Sequence, residues 1–248
     1  MSQSYGATTD QVRRADDEAF AVLDRMVSER WSCRAFVPEP VPRAEIEKVL
    51  DIARRTPSWC NTQPWHLHIT SGAATTALRT AIGAALAGGP QENPDIAFPQ
   101  SYAGDYAERR RTSGRQLYES LGIEKGDRVA SARQMMRNFD FFDAPHVAVV
   151  TTERALGAYG AVDCGLFVQS FLLAAHARGI GAIPQAALAT QAPVIREHLG
   201  LPESRQVLIG ISFGYPDAGH PVNGYRTHRR STAEVATFVG EPSVEDAR

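Results

Sequence analysis

Lysine is nearly missing from this chain. Lys48 and Lys125 are the only two among 26 basic residues, so the positive charge is carried by arginine. Arginine is suited to bidentate contacts with phosphate wherever it enters a site. Cysteine is also scarce. Cys33, Cys60 and Cys164 stand far apart with no CxxC pair and no ligand spacing, which excludes a disulfide framework and argues against a metal site. His66 and His68 alternate without nearby cysteine or carboxylate partners and read as structural. The formal net charge is only −2, so no basic field draws the chain to nucleic acid or to a membrane surface. No run approaches the ~18 consecutive apolar residues of a membrane span. Met1 to Gln11 is polar and lacks an apolar leader core. A cytoplasmic protein is expected. The dinucleotide fingerprint GxGxxG is absent, as are internal repeats and low-complexity tracts.

What is present is an ordinary globular composition, 43% hydrophobic, over 248 residues. That length suits one sizeable core, and a single domain over 1–248 is expected. Apolar spacing predicts helices at about Asp16–Glu29, with Phe20, Leu23 and Val27 on one face, and at Arg43–Arg55. An irregular segment, Thr56–Pro64, precedes a strand at Trp65–Thr70 and an Ala-rich helix at Ala73–Leu86. Gly88–Gly104 reads as loop, with Pro90, Pro94 and Pro99. Polar helices follow at Arg109–Leu121 and Asp127–Asn138. Residues 88–140 thus form a long lid-like excursion. His146–Thr152 is an apolar strand. Ala158–Arg178 is apolar on more than one face and should be buried all round, in the chain's own core or in a dimer interface. Gly179–Ile183 and Val207–Phe213 read as strands, with a helix at Gln191–Leu199 between them. From Ala218 to Arg248 the chain looks extended and coreless. Helices interspersed with well-separated strands give an α+β or α/β fold, a sheet layered with helices.

Four clusters could carry chemistry. Arg30-Trp31-Ser32-Cys33-Arg34 could clamp an anion, although a solvated helix end reads the same way. Pro57-Ser58-Trp59-Cys60-Asn61-Thr62-Gln63-Pro64-Trp65 offers uncharged donors and acceptors suited to the amide-like edge of a heterocycle, or to nothing beyond a satisfied polar loop. Gly179 to Ala187 combines small residues with Pro184, Gln185 and Ala186, and fits either close approach of a flat ligand or a tight turn. Asn223-Gly224-Tyr225-Arg226-Thr227-His228-Arg229-Arg230 suits a phosphate or a basic solvated segment.

In this order the clusters resemble the FMN-dependent nitroreductase family, over about Glu29 to Arg230. The middle excursion, with Leu117-Tyr118, Leu121-Gly122-Ile123 and Phe141-Phe142-x-Ala144-Pro145, is most similar to the branch that reduces nitrobenzoate-type compounds. The resemblance implies a mostly antiparallel sheet of four or five strands flanked by helices. It also implies an intertwined homodimer whose two FMN molecules are each touched by both subunits. Arg30 and Arg229 would bind the FMN phosphate, with Trp31, Ser32 and Arg226 nearby and Arg34 closer to the ribityl chain or the pyrimidine edge. Pro57, Ser58, Asn61 and Gln63 would serve the partner's flavin. Pro184, Gln185 and Ala186 would line the ring. The chemistry would be centred on the flavin, with no side-chain nucleophile. NADPH or NADH would donate hydride and a small aromatic acceptor, nitroaromatic or quinone-like, would take it in ping-pong fashion. The same scaffold also suits reductive dehalogenation, dehydrogenation, flavin breakdown or flavin binding without turnover.

Overall fold

A computed structural model describes residues 16–89 and 92–240. The polar stretch Met1–Gln11, Pro90 and the last eight residues of the tail lie outside the described residues. The elements are α1 (Asp17–Glu29), α2 (Arg43–Ala53), β1 (His66–Ser71), α3 (Ala73–Ala87), α4 (Gly104–Ser120), α5 (Arg128–Met136), β2 (His146–Glu153), α6 (Gly157–Ala177), β3 (Gly181–Gln185), α7 (Ala192–Leu199), β4 (Arg205–Gly214) and the single turn α8 (Thr232–Val235).

The four strands form one antiparallel sheet in the order β1-β2-β4-β3. Strand β2 is buried along all but its last residue, with Val147–Val150 at its apolar centre, because both of its faces are covered. Side chains alternate across a strand. Ala148 and Val150 therefore join Ile46 and Val49 of α2 and Phe167 and Phe171 of α6 in one core. Val147 and Val149 join Leu78 and Ile82 of α3 and Ile195 of α7 in the other. Phe141, Phe142 and Asp143 take left-handed φ of 58°, 52° and 59° just before β2. Such a backbone persists only where its surroundings over-determine it. Here Phe141 is locked into the α3–α7 core and Phe142 into a third core beside Cys33 and Phe36.

Several boundaries differ from the sequence reading. Gly179 ends α6 in a left-handed conformation (φ 70°) and Ile180 N–H closes back on the Ala175 carbonyl at 2.9 Å, so β3 starts at Gly181 and runs on to Gln185. Helix α4 begins at Gly104, five residues before the expected Arg109, since Pro99 is the last proline before it. The tail is not wholly coreless, because Val222 and Asn223 are buried. Nor is α6 buried all round. It packs on α2 and the sheet, yet Tyr159, Val162 and Leu166 form an exposed row along it. Helix α1 buries nothing at all, and Phe20 is 72% exposed. The window Arg154–Ala177 is long and apolar enough to cross a membrane, but half of it is buried in the protein's own core.

His146, at the start of β2, ties three elements together. Its Nε2 accepts the Val41 N–H at 2.9 Å, which places its proton on Nδ1, facing Ser71 Oγ at 2.7 Å. Burial pushes its pKa below the ordinary histidine value, against a smaller opposing contribution from the Thr70 backbone. The unfolded chain takes up this proton near pH 6.5 and the folded chain only at lower pH. Stability is therefore complete above about pH 6.5 and falls below it, by up to about 1.4 kcal/mol per pH unit for this one group. Denaturation midpoints between pH 5 and 8 should show this slope. His146→Gln, which keeps an acceptor for Val41, should flatten it, and an equally steep variant would refute the assignment.

Candidate functional site

The segment after α1 is fixed by its neighbours on both sides. Ser32 bridges Ala182 of β3 in the parallel sense, and Cys33 N–H donates to the Ala182 carbonyl at 3.2 Å. Extended backbone sends alternate side chains to opposite faces. Cys33 accordingly enters the core, where burial pushes its thiol up to about 11. Arg34 stays half-buried. On the far side, Val37 N–H donates to the Tyr215 carbonyl and Asp217 N–H to the Ala35 carbonyl, each at 3.0 Å. The turn after β4 thus adds on to residues 35–37.

The tail then returns across this segment. Asn223, only 6% exposed, donates from Nδ2 to the carbonyls of Ala35 (2.9 Å) and Asp217 (2.8 Å), and its Oδ1 accepts the Arg34 N–H at 2.9 Å. Beyond this clamp, Tyr225, Arg226, Thr227 and Arg229 come down beside Arg30–Arg34. Together they line a cleft of about 500 Å³, with Gln169 of α6 and Ser113 of α4 completing the wall. The Arg226 guanidinium lies 4.6 Å from the centroid of the Trp31 ring, a cation–π contact.

Arg30, Arg34, Arg226 and Arg229 all face this cleft, and among the described residues none is within salt-bridge distance of a carboxylate. Burial, and then the charge of Arg229, holds the Arg30 pKa below its ordinary value. Burial does the same to Arg34, against opposing contributions from Tyr225 and Cys33. Uncompensated like charges at close range are costly unless an anion joins them. The cleft is chemically complementary to a phosphate dianion with a polar stem.

Six of the residues that the family resemblance assigns to the flavin meet here: Arg30, Trp31, Ser32, Arg34, Arg226 and Arg229. The others do not. Pro57, Asn61 and Gln63 are exposed and Ser58 is half-buried, on a loop seated against α6. The Trp59 N–H donates to Asp163 Oδ2 at 3.1 Å, Thr56 Oγ1 meets Ser170 Oγ at 2.7 Å, and the Trp59 and Tyr159 rings lie 5.2 Å apart. Cys60, Asn61 and Gln63 hold left-handed φ of 49°, 55° and 46°, with Ser58 Oγ accepting the Gln63 N–H at 2.9 Å. Pro184 sits on β3, at the sheet edge where a missing N–H is tolerated. The Gln185 side chain turns into the core. It donates to the Asn138 carbonyl at 2.9 Å and its Oε1 accepts from Ser212 Oγ, which leaves only its backbone to face a ligand. Ala186 borders a separate apolar cavity of about 310 Å³, roofed by Ile96–Pro99. Sequence reasoning missed Gln169 and Ser113, and gave no separate role to Asn223 and Tyr225 inside the fourth cluster. Gln169 was detectable as a polar residue inside the apolar run of α6.

Residues 27–215 match the model of the Nitroreductase family. A 4-nitrobenzoate reductase of Pseudomonas putida is 36% identical over 218 residues, covering 88% of this chain and 96% of that protein. Nitroreductase NfnB of Mycolicibacterium smegmatis is 37% identical, covering 87% of this chain and 92% of its own length. Among solved structures, an FMN-dependent nitroreductase NfnB from Mycobacterium smegmatis in complex with NADPH superposes with a TM-score of 0.84 at 35% identity. It covers 89% of this chain and 99% of that one.

Proposed function

The chain belongs to the nitroreductase family, and from that premise we propose that it is an FMN-dependent NAD(P)H oxidoreductase that reduces small nitroaromatic compounds. The observation that carries the reading is one cleft lined by four guanidinium groups with no carboxylate partner. Arg30 and Arg229 would hold the FMN phosphate, with Ser32 and Trp31 in the same cleft and Arg226 resting on the Trp31 face. Arg34 presents fixed positive charge toward the pyrimidine edge, where reduction places negative charge. Pro184, the Gln185 backbone and Ala186, outside the arginine cleft, would border the ring if it extends toward the end of β3. FMN, when bound, supplies the two-electron chemistry, taking hydride from NADPH or NADH and passing electrons to the acceptor in ping-pong turnover. The residues of this chain bind and orient the flavin and exclude water from it.

Pro57, Ser58, Asn61 and Gln63 stand apart from the cleft of their own chain. In a homodimer they serve the cleft of the second copy, and the exposed rows on α1 and α6 supply the apolar surface such an interface needs. The chain acts as one FMN-binding domain, with Ser113 of α4 bringing the middle excursion to the wall of the cleft.

Purified protein is expected to be yellow, dimeric by light scattering, and to release FMN, not FAD, on denaturation. Under anaerobic conditions NADPH or NADH should bleach it and a nitrobenzoate should restore the colour. A colourless protein that fails to take up FMN would overturn the reading.

A further inference from the structure

Arg34 is held in an unusual way for a half-buried cation. Its Nη1 donates to the Ser32 carbonyl at 3.2 Å and to Tyr225 Oη at 2.9 Å. The guanidinium lies 6.0 Å from the centroid of the Tyr225 ring. A guanidinium has five N–H donors, two of them on Nη1. Both Nη1 donors are therefore engaged, while Nε and Nη2 have no protein partner among the described residues. Tyr225 itself lines the cleft. Its backbone is placed by the Asn223 clamp two residues earlier, which ties it to the same short segment that carries Arg34.

Ser32 alone could not fix the guanidinium. A single carbonyl on a neighbouring residue leaves the long arginine side chain free to swing about its remaining torsions. The Tyr225 hydroxyl supplies the second point of attachment, from a part of the chain 191 residues away. Its own O–H proton stays available for the cleft, since the oxygen accepts from Arg34.

We propose that Tyr225 is a positioning residue that acts through Arg34, holding the unused Nε–Nη2 edge of the guanidinium in the cleft for the electron-rich edge of the bound heterocycle. The inference rests on the reading of the cleft as an FMN site. If Tyr225 works this way, its effect must be greater on reduced FMN, which carries more negative charge, than on oxidised FMN.

The test is the ratio of the dissociation constants for oxidised and reduced FMN, obtained from titration of the flavin-free protein together with the potential of the bound flavin. A hydrogen bond to a charged group is worth about tenfold in affinity or more. Tyr225→Phe keeps the ring and loses only the hydroxyl. It should lower the ratio about tenfold, which is about 30 mV for a two-electron couple. Arg34→Gln should lower it further, and the double variant should match Arg34→Gln alone. Thermal unfolding of Tyr225→Phe should be little changed, so a purely structural role would appear as a lower Tm with an unmoved ratio. A chain that binds no FMN would overturn the reading of the site and this inference with it. A chain that binds FMN but whose ratio ignores Tyr225→Phe, ignores Arg34→Gln, or adds the two effects independently would overturn this inference alone.

Discussion

Arg229→Ala is expected to weaken FMN binding about 10- to 150-fold, and Arg30→Ala by a similar factor. That range is the worth of one charge-assisted hydrogen bond, about 1.5–3 kcal/mol, expressed as affinity. The two guanidinium groups meet at one cleft without a carboxylate, and the charge of Arg229 adds to burial in holding the Arg30 pKa down. Removing one of them relieves repulsion in the empty cleft even as it removes a donor from the filled one. The Tm of the flavin-free Arg229 variant should therefore be unchanged or slightly raised. Arg230→Ala is the control. Its Nη1 donates to the Glu234 carbonyl, within the turn of α8 and away from the cleft. Titration of flavin-free protein by flavin fluorescence checks all three. A larger loss at Arg230 than at Arg229 would mean that the phosphate lies elsewhere along the tail.

Asp95→Ala should cost about 3–5 kcal/mol of folding stability, the usual penalty for stranding a buried charge by deleting its partner. The Asp95 side chain is only 8% exposed. Its carboxylate accepts from Arg196 Nη2 at 2.6 Å, from Arg154 Nη2 at 3.0 Å and from the Val207 N–H at 2.7 Å. Burial pushes its pKa up, but these three donors outweigh that and hold it below the ordinary carboxylate value. Arg196 is itself largely buried, and its Nε already lacks a partner. Asp95→Asn keeps an acceptor for Val207 and should fall between the wild type and alanine. Denaturant midpoints would read both. A loss below about 1 kcal/mol for alanine would show that Arg196 finds water once the carboxylate is gone. The same anchor lies next to the strap Ile96–Pro99, which roofs an apolar cavity of about 310 Å³.

The unequal legibility of this molecule in its sequence has physical causes. Strand β2 could be read because a run of valines between two turns has few alternatives, and α2 because its apolar spacing is regular. The arginine clusters could be seen, but that Arg30 and Arg229 share one cleft followed only from the family resemblance, since nothing local links them. Asp95 looked like one polar residue in a proline-rich loop. Its three donors lie on elements far along the chain, and no periodicity announces a buried ion pair. Gln185 sat in a conspicuous loop beside Pro184, yet the pleat of an antiparallel strand turned its side chain toward Ser212 and away from the surface. The apolar character of α6 left open whether its own core or a second copy covers each face, and within one chain Tyr159, Val162 and Leu166 stay exposed. Hydrophobicity reports that a face avoids water without saying which chain covers it.

The Asn223 clamp has a consequence for how the molecule comes into being. Arg34 and the amide oxygen that receives its N–H are separated by 189 residues. At synthesis rates of about 5–20 residues per second, roughly ten to forty seconds pass on the ribosome between the appearance of the first wall of the cleft and that of the last. During that interval the nascent chain carries Arg30 and Arg34 without Asn223, Tyr225 or Arg229, and so lacks half of the proposed phosphate cleft. On the proposed reading of the cleft, cofactor capture is a late event and the bound flavin would mark a finished chain. Chains halted or clipped ahead of Asn223 would stay colourless and could be sorted from finished ones by absorbance alone.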